Sequence, residues 1–262
     1  MKKLWIGTGW KMNHLFSEAK DYAIKLKSYV SHEQVDFNLF LCVPFTVLNM
    51  VCEHLVGANI SVGAQNMHWL DRGPATGEIS PMMIMDAGAT MVEIGHSERR
   101  EWFGETDESI NLKLKAAHKH SITPILCVGE TLQDRKYLTN FEKINRQIKI
   151  ALYGLSPDEI RRSIIAYEPV WAIGDSGVPA DPEYVNQMHD HIKQTVSNLF
   201  GVENGKEITV IYGGSVNLEN ALTFITKEHV DGLFIGRSAW NVNDFITLIA
   251  HIQQHISEKN LK

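Results

Sequence analysis

Short apolar runs alternate with longer amphipathic stretches along almost the whole chain of 262 residues. The apolar runs are rich in Val and Ile and end at Gly, Pro or polar residues, which is the pattern of buried strands. The longer stretches repeat their apolar residues at helical spacing. The runs predict eight strands, at residues 4–9, 37–43, 60–64, 91–95, 122–128, 164–167, 208–212 and 232–236. A helix is predicted after each strand, at residues 17–29, 47–55, 81–87, 107–119, 133–152, 182–199, 218–226 and 242–255.

Eight strand–helix units in one chain predict an α/β fold, with a parallel sheet closed into a (β/α)8 TIM barrel. The composition does not change along the chain, and no linker or internal repeat divides it, so we expect a single domain over residues 1–262. An open, doubly wound sheet is the competing fold, and it favours a G-x-G-x-x-G turn after the first strand. The first strand instead continues as Gly7-Thr8-Gly9-Trp10-Lys11, which does not fit that motif.

Composition and charge narrow the class of protein. Apolar residues make up 44% of the chain, enough for one large core, and the formal net charge of −6 argues against a nucleic-acid partner. No apolar window is long enough for a membrane span or a signal peptide, so we expect neither membrane association nor secretion. Cys42, Cys52 and Cys127 are far apart and have no metal-ligand spacing, which predicts a reducing, cytoplasmic setting.

The sixth strand leads directly to a carboxylate. Apolar residues 164–167 are followed by Glu168, Pro169 and an apolar loop through Gly174. Chemistry in a (β/α)8 barrel lies at the carboxyl ends of the strands. A carboxylate there is held rigidly and can reach a substrate, as a general base requires, and the loop after it can close over the site. Considered alone, Glu168 could equally be a surface carboxylate at a strand end.

Two further strand ends carry groups that fit the same chemistry. Lys11 follows the first strand and offers a mobile positive charge for a phosphate or a developing oxyanion. His96 follows the fourth strand and precedes Ser97 and Glu98, where a helical turn begins. A helix N-terminus disfavours the imidazolium form, so we expect His96 to be a neutral hydrogen-bond donor. Considered singly, a solvated lysine and a capping or core histidine are the alternatives.

The last two strands end in turns that contain glycine. The seventh strand continues into Gly213, Gly214 and Ser215, and the eighth into Gly236 and Arg237. Glycines let backbone N–H groups approach a ligand, and these two loops occupy the position where barrels bind phosphate. The strand ends thus supply a base (Glu168), a neutral donor (His96), a cation (Lys11) and an anion cradle, by which we mean the glycine turns after the last two strands. Together these groups predict proton abstraction next to the carbonyl of a small phosphorylated sugar. This chemistry requires no cofactor.

Six short blocks resemble the signature sequences of the triosephosphate isomerase family. In chain order they are WKMN (10–13), GAQN (63–66), TGEIS (76–80), IGHSERR (94–100), AYEPVWAIG (166–174) and YGGSV (212–216). Their order makes the resemblance specific, and the eighth strand continues it. The resemblance implies a ketose–aldose isomerase of a family that pairs a glutamate base with a neutral histidine.

The resemblance implies a role for each matching residue. Glu168 is the base, His96 the electrophile and Lys11 the cation, while Glu98 is a supporting carboxylate. The residues whose backbone N–H groups would hold the phosphate are Gly174, Ser215 and Gly236.

The resemblance also implies a homodimer in which the loop after the third strand enters the partner subunit. The implied contact residues are Gln65, Thr76 and Glu78. The loop over residues 65–78 is itself too long for a simple connection. Residues 67–69, Met-His-Trp, would form a costly exposed apolar patch in a monomer.

Departures from the family pattern lie around the ligand and bear on the substrate. The family usually has Asn before Trp-Lys, and here it is Gly9, which removes an amide and opens space. The closing loop at residues 174–180 and the pair Gly236-Arg237 also differ, so Gly9 and Arg237 join the expected substrate contacts. The pattern resembles the branch acting on four-carbon sugar phosphates, the L-erythrulose-1-phosphate isomerases of erythritol catabolism.

The leading expectation is therefore the conversion of L-erythrulose 1-phosphate to D-erythrulose 4-phosphate. The alternative is the triosephosphate reaction of glycolysis and gluconeogenesis, which interconverts dihydroxyacetone phosphate and glyceraldehyde 3-phosphate. A third possibility is an inactive barrel kept for binding, but Lys11, His96 and Glu168 are all present.

A metal-dependent barrel hydrolase would need histidines beside carboxylates at strand ends, and only His96, near Glu98, meets that condition. We therefore expect no metal ion. Two other charged residues have structural interpretations: Glu130 is expected to pair with a nearby Arg or Lys, and Arg100 to lie at the surface.

Overall fold

The computed structural model describes residues 3–174 and 177–260, so Asp175 and Ser176 of the predicted closing loop lie outside the described residues. Eight parallel strands form one closed barrel, in which each strand pairs with its neighbours in sequence and the last closes against the first. The strands are β1 (Trp5–Gly9), β2 (Asn38–Val43), β3 (Ile60–Ala64), β4 (Met91–Ile94), β5 (Thr123–Val128), β6 (Ile164–Tyr167), β7 (Thr209–Tyr212) and β8 (Gly232–Ile235).

Helices surround the barrel, and the predicted (β/α)8 architecture is confirmed. In the described ranges the helices are α1 (Phe16–His32), α2 (Phe45–Leu55), α3 (Pro81–Asp86), α4 (Ser97–Trp102), α5 (Asp107–Lys119), α6 (Leu132–Lys136), α7 (Asn140–Ala151), α8 (Pro157–Arg161), α9 (Pro182–Phe200), α10 (Val202–Glu207), α11 (Ala221–Ile225) and α12 (Val242–Asn260). Two short 3-10 turns, Val170–Ala172 and Arg237–Ala239, follow β6 and β8. Over the same ranges, no helix has both the length and the apolar composition that crossing a bilayer demands.

Both faces of each strand are buried, which explains why the strands read as continuous apolar runs. Residues of one parity point into the barrel and form an inner cluster that includes Phe40, Met91 and Phe234. Residues of the other parity, such as Val92, pack against the helices in a larger outer core. Because successive side chains alternate, Glu93 shares the parity of Met91 and points into the barrel.

One predicted helix is wrong: the amphipathic stretch at residues 133–152 is two helices, α6 and α7. Leu138, between them, adopts a left-handed backbone conformation with φ of 60°, which an α-helix cannot contain. The shorter helix, α6, has its own N-terminal capping box, formed by Thr131 and Asp134. The apolar periodicity continues across the break, so the pattern alone does not reveal it.

The expected exposed patch at residues 67–69 is also wrong. Met67 is fully buried in the outer core, and Trp69 packs against that core while its ring stacks on His68 with centroids 4.1 Å apart. The backbone N–H of His68 donates to the carbonyl of Ile79 at 2.8 Å. These contacts fold the start of the long loop back onto its own barrel, which removes its apolar side chains from the surface.

Candidate active site

Glu168 lies directly after β6, at the carboxyl end of the barrel. The residue is only 4% exposed, and its backbone N–H donates to the carbonyl of Val128 at 2.8 Å. Gly213 makes room for it, because a Cβ there would lie 2.6 Å from Glu168 Cγ. Burial raises the pKa of the Glu168 carboxyl well above its usual value, and the neighbouring Glu93 raises it further. Once ionised, such a carboxylate is an effective proton acceptor.

His96 is the N-cap of α4. Its Nδ1 accepts a hydrogen bond from the backbone N–H of Glu98 at 3.2 Å. That bond leaves the proton of the neutral ring on Nε2, which faces Glu168 Oε2 at 3.5 Å. Burial lowers the pKa of His96 to about 4, and the charge of Lys11 lowers it too. The imidazole is therefore neutral near pH 7 and presents an N–H donor beside the carboxylate.

Lys11 follows β1 in a left-handed backbone conformation, with φ of 51°. A residue other than glycine in that conformation is uncommon, and such strain is often found at functional sites. Lys11 Nζ forms an ion pair with Glu98 Oε1 at 2.5 Å. The other oxygen of Glu98 lies 3.5 Å from His96 Nδ1. Glu98 therefore fixes the lysine next to the histidine.

A cavity of about 210 Å³ connects these groups with the ends of β7 and β8. Lys11, His96 and Glu168 line it. Its lining also contains every residue predicted to contact the substrate: Gly9, Gly174, Ser215, Gly236 and Arg237. The structure thus brings the predicted base, donor, cation and anion cradle around one space, although they are spread over most of the chain.

The side chains of this cavity that sequence reasoning missed include Glu93, Phe234 and Trp240. Glu93 lies in β4, where all four residues are buried. A single carboxylate in an apolar strand with no solvent-facing side was the signal that could have found it. Trp240 Nε1 donates to the carbonyl of Gly9 at 3.0 Å, so the segment after β8 is in direct contact with the end of β1.

Glu93, His96 and Glu168 each bring one potential ligand atom to within 4.8 Å of the others. The sequence spacing indicated Glu98 as the carboxylate near His96, and the fold adds two further carboxyl groups, from β4 and from the end of β6. The positive charge of Lys11 lowers the pKa of His96, and the same charge would repel a metal ion bound at this cluster. The arrangement suits proton transfer better than metal ligation.

Glu130 was expected to pair with an Arg or Lys, but it forms no ion pair with the residues that the structure describes. Its Oε1 accepts three hydrogen bonds of 3.0 Å, from the side chains of Tyr167, Trp171 and Tyr184. Arg135 instead lies over the rings of Trp171 and Tyr184, 4.7 Å and 4.4 Å from their centroids. Neutral donors therefore satisfy one oxygen of this buried carboxyl, whereas Oε2 has no hydrogen-bond partner among the described residues. The same donors tie the start of the loop after β6 to α9.

Arg100 is not at the surface, contrary to expectation. Its Nη1 pairs with Asp107 at 2.5 Å, and its other nitrogens donate to the carbonyls of Gly95 at 2.7 Å and Cys127 at 3.1 Å. Backbone carbonyls at the ends of buried strands need donors, and this guanidinium supplies them for β4 and β5. Arg99 forms an ion pair with Glu105.

The residues expected at a subunit contact differ in their surroundings. Gln65 Nε2 donates to the carbonyl of Cys42 at 3.0 Å, so it is engaged within its own barrel. Thr76 and Glu78 are exposed on the same loop and accessible to a second chain.

Comparisons with known proteins agree with this geometry. The triosephosphate isomerase family model matches residues 4–252. A Brucella abortus (biovar 1, strain 9-941) protein named L-erythrulose-1-phosphate isomerase is 44% identical, and the match covers 95% of this chain and 96% of that protein. A Rhizobium meliloti (strain 1021) protein of the same name is 42% identical, over 97% of this chain and 98% of its own length. The crystal structure of triosephosphate isomerase from Bartonella henselae has a TM-score of 0.84 and 35% identity, covering 95% of this chain and 99% of that one.

These matches confirm the predicted resemblance to the family and to its L-erythrulose-1-phosphate isomerase branch. They also confirm the prediction of an enzyme of the aldose–ketose isomerase class. Since the family model and the relatives match nearly the whole length, the chain belongs to the triosephosphate isomerase family.

Proposed function

We propose that the protein converts L-erythrulose 1-phosphate to D-erythrulose 4-phosphate by proton transfer through an enediolate. The observation that carries the proposal is Gly9, which lines the cavity that holds Glu168 and places no side chain between that cavity and its neighbours Phe234 and Glu93. Relatives of that name, 42% and 44% identical, support it. With this substrate the protein would serve erythritol catabolism rather than glycolysis or gluconeogenesis.

The four-carbon substrate differs from dihydroxyacetone phosphate at the carbon that loses its proton. In L-erythrulose 1-phosphate, a hydroxymethyl group replaces one hydrogen of that carbon. Removing the proton from C3 gives an enediolate between C2 and C3, and returning a proton to C2 places the carbonyl on C3. Substrate and product are then both ketoses, whereas the three-carbon reaction joins a ketose and an aldose through the same kind of intermediate.

Each side chain has one step in this scheme. Glu168 takes the C3 proton, the C–H electron pair becomes the C2–C3 double bond, and negative charge develops on the oxygen of C2. The His96 Nε2–H and the Lys11 ammonium stabilise that charge. A hydroxyl proton moves from the oxygen of C3 to that of C2, and Glu168 returns its proton to C2. The residues proposed to hold the phosphate are Gly174, Ser215, Gly236 and Arg237.

The triosephosphate reaction is the second candidate. The same base, donor and cation would perform it, and the Bartonella henselae triosephosphate isomerase is 35% identical over 95% of this chain. With that substrate the space beside Gly9 stays unfilled. A barrel kept only for binding finds no support, because Glu168, His96 and Lys11 all line one cavity.

A parallel rate assay on one preparation tests the proposal. We expect kcat/KM for L-erythrulose 1-phosphate to exceed that for dihydroxyacetone phosphate by about 10-fold or more, because a space shaped for an extra group discriminates by that order. In deuterated water, the product should carry deuterium on the carbon that receives the proton. Turnover of dihydroxyacetone phosphate alone would contradict the proposal.

Two variants sharpen the assay. Glu168→Asp should lower kcat by at least roughly 100-fold on whichever substrate is used, because a slightly misplaced base is costly. Gly9→Asn should shift the substrate ratio toward dihydroxyacetone phosphate. A Cβ at position 9 would lie 3.2 Å from the Phe234 ring, so the asparagine occupies the space after a small ring movement. If the ratio of kcat/KM for the two substrates does not change, Gly9 does not determine the choice of substrate.

We also propose a cytoplasmic homodimer in which the loop at residues 65–78 contacts the partner. Large apolar side chains are exposed near the barrel mouth and on α3, among them Met12, Met82, Met83 and Met85. The loop and α3 together line one surface cavity. Three buried, free cysteines support a reducing compartment.

A further inference from the structure

Glu93 is a carboxyl group inside the barrel that none of the proposed steps uses. It is 6% exposed and lies in a strand whose four residues are all buried. Within the described chain its one hydrogen-bond partner is Cys127, whose Sγ lies 3.9 Å from Oε1. A thiol is a weak donor, and burying a carboxyl with so little compensation destabilises the fold. Its position therefore points to a ligand rather than to folding.

Glu93 lies next to Gly9 in the wall of the cavity. Its Oε2 lies 3.7 Å from the point that a Cβ at position 9 would occupy, and the ring of Phe234 lies 3.2 Å from the same point. The indole of Trp240 fixes the backbone here through its hydrogen bond to the Gly9 carbonyl. These four residues line the cavity that contains Glu168. On the β1 side, the cavity is thus bounded by an aromatic ring and a carboxyl group.

This part of the cavity is within reach of the reacting carbon. An oxygen of Glu93 and an oxygen of Glu168 lie within 4.8 Å of each other, so a substituent on a carbon placed at Glu168 comes close to Glu93. In L-erythrulose 1-phosphate that substituent is a hydroxymethyl group, and in dihydroxyacetone phosphate it is a hydrogen. Burial raises the pKa of Glu93 to about 8. The group is therefore protonated near pH 7 and can both donate to and accept from a hydroxyl.

We propose that Glu93 is a specificity-determining residue that binds the terminal hydroxyl of the four-carbon substrate, while the space at Gly9 admits the carbon that carries it. This inference rests on the proposed function. The hydrogen bond holds the C3–H of the substrate at Glu168 and gives the Glu93 carboxyl a strong partner. A three-carbon substrate has no hydroxyl at this position and leaves Glu93 as it is in the free protein.

Two other roles for Glu93 predict different results. If Glu93 acted only through its effect on the pKa of Glu168, its loss would change the rate on every substrate alike. If it were a metal ligand together with His96 and Glu168, activity would depend on a divalent cation.

The test compares substitutions at Glu93 with a matched control in the same strand. Glu93→Leu removes both oxygens at similar volume, and Glu93→Gln keeps the ability to donate and accept. Glu93→Asp withdraws the carboxyl by one methylene and provides a second loss-of-contact variant. Met91→Leu is the control, because Met91 faces the barrel interior from β4 but does not line the cavity. Thermal melts and circular dichroism establish the fold of each variant before kcat and KM are measured on both substrates.

Glu93→Leu should lower kcat/KM for L-erythrulose 1-phosphate by about 10- to 100-fold more than for dihydroxyacetone phosphate, because a changed pKa of Glu168 affects both substrates alike and only the first also loses a buried hydrogen bond. Glu93→Asp should follow the same direction, Glu93→Gln should stay within about 5-fold, and Met91→Leu should match the wild type on both substrates. Equal losses on both substrates, no loss on either, or inactivation by a chelator overturns the inference while the proposed function stands. A wild-type protein inactive on L-erythrulose 1-phosphate overturns both.

Discussion

Glu168 and Glu93 are two carboxyl groups of one cavity that the proposed mechanism needs in opposite protonation states. Burial raises the pKa of both above that of an exposed glutamate. Two carboxyl groups this close resist double ionisation, so the pair carries at most one negative charge near neutral pH. Proton abstraction requires that charge on Glu168, and hydroxyl binding requires the proton on Glu93.

We predict that kcat/KM for L-erythrulose 1-phosphate falls on the alkaline side as Glu93 loses its proton, at a pH near its pKa of about 8. The required form of Glu93 is the protonated one, so activity is present below this pKa and lost above it. Among the charged groups around Glu93, Glu98 raises the pKa and Lys11 lowers it. Glu93→Gln has no proton to lose there. Its profile should therefore stay flat in this range, and an alkaline limb that persists in the variant would belong to another group.

The same carboxyl makes a prediction about stability. The pKa of Glu93 is raised from 4.5 to about 8 in the folded protein, so between these values the folded state binds more protons than the unfolded state. The free energy of unfolding must then fall as the pH rises through this window. The variant Glu93→Gln has no proton to lose at this position, so its stability should not fall for this reason. The melting temperature of the variant should exceed that of the wild type by roughly 5 °C or more at pH 8, and by less at pH 5. A constant difference across this range would contradict a buried, protonated Glu93.

At the scale of elements, the strands were predictable because a parallel barrel buries both faces of every strand. All eight agree with the structure to within one residue at either end.

The break at Leu138 was not predictable from periodicity, since one left-handed residue does not disturb the apolar spacing. Glu93 was missed for a related reason: an apolar run identifies β4 as a strand, but only alternation relative to Met91 shows that the carboxylate points inward. The base, donor and cation were found because each follows a strand, where the barrel concentrates its chemistry.

The segment after β6 is held by hydrogen bonds to Glu130, a residue that was expected from the sequence to pair with an Arg or Lys. Trp171, at the start of the loop, and Tyr184, on α9, both donate to Glu130, which accepts from Tyr167 as well. Because the donors come from the loop, from α9 and from β6, they hold the loop where it leaves the barrel. The position of the loop over the cavity depends on this anchor.

We therefore predict that Tyr184→Phe alters kcat and KM together, by about 3- to 10-fold, because hinge residues far from the chemistry affect both constants. Loss of one hydrogen bond should also lower the free energy of unfolding by about 1 kcal/mol. Tyr153→Phe is the matched control, since Tyr153 is exposed and its hydroxyl has no hydrogen bond among the described residues. Steady-state kinetics and limited proteolysis within residues 170–180 measure the effect. If the two variants have the same kinetic constants and the same proteolysis pattern, the hydrogen bonds to Glu130 do not control the loop.

At the scale of the whole molecule, barrel closure explains how residues from Gly9 to Trp240 line one cavity. All eight strands are parallel, so their carboxyl ends meet at one rim, and β8 returns the end of the chain to β1. The hydrogen bond from Trp240 to Gly9 lies across this closure. A change at one end of the sequence therefore acts on the substrate space built by the other end.

The same rim carries apolar side chains that one chain leaves uncovered, which favours a dimer. Met12 is 96% exposed after β1, and Met83 is 53% exposed on α3 beside the long loop. We expect sedimentation equilibrium to give twice the mass of one chain, and Met83→Asp to weaken association by at least about 10-fold, because it buries an unpaired charge in the interface. Leu138→Asp, at a position 79% exposed between α6 and α7, is the matched control and should leave the dimer intact. A monomeric wild type, or two variants with equal effects, would contradict an interface built on α3 and this loop.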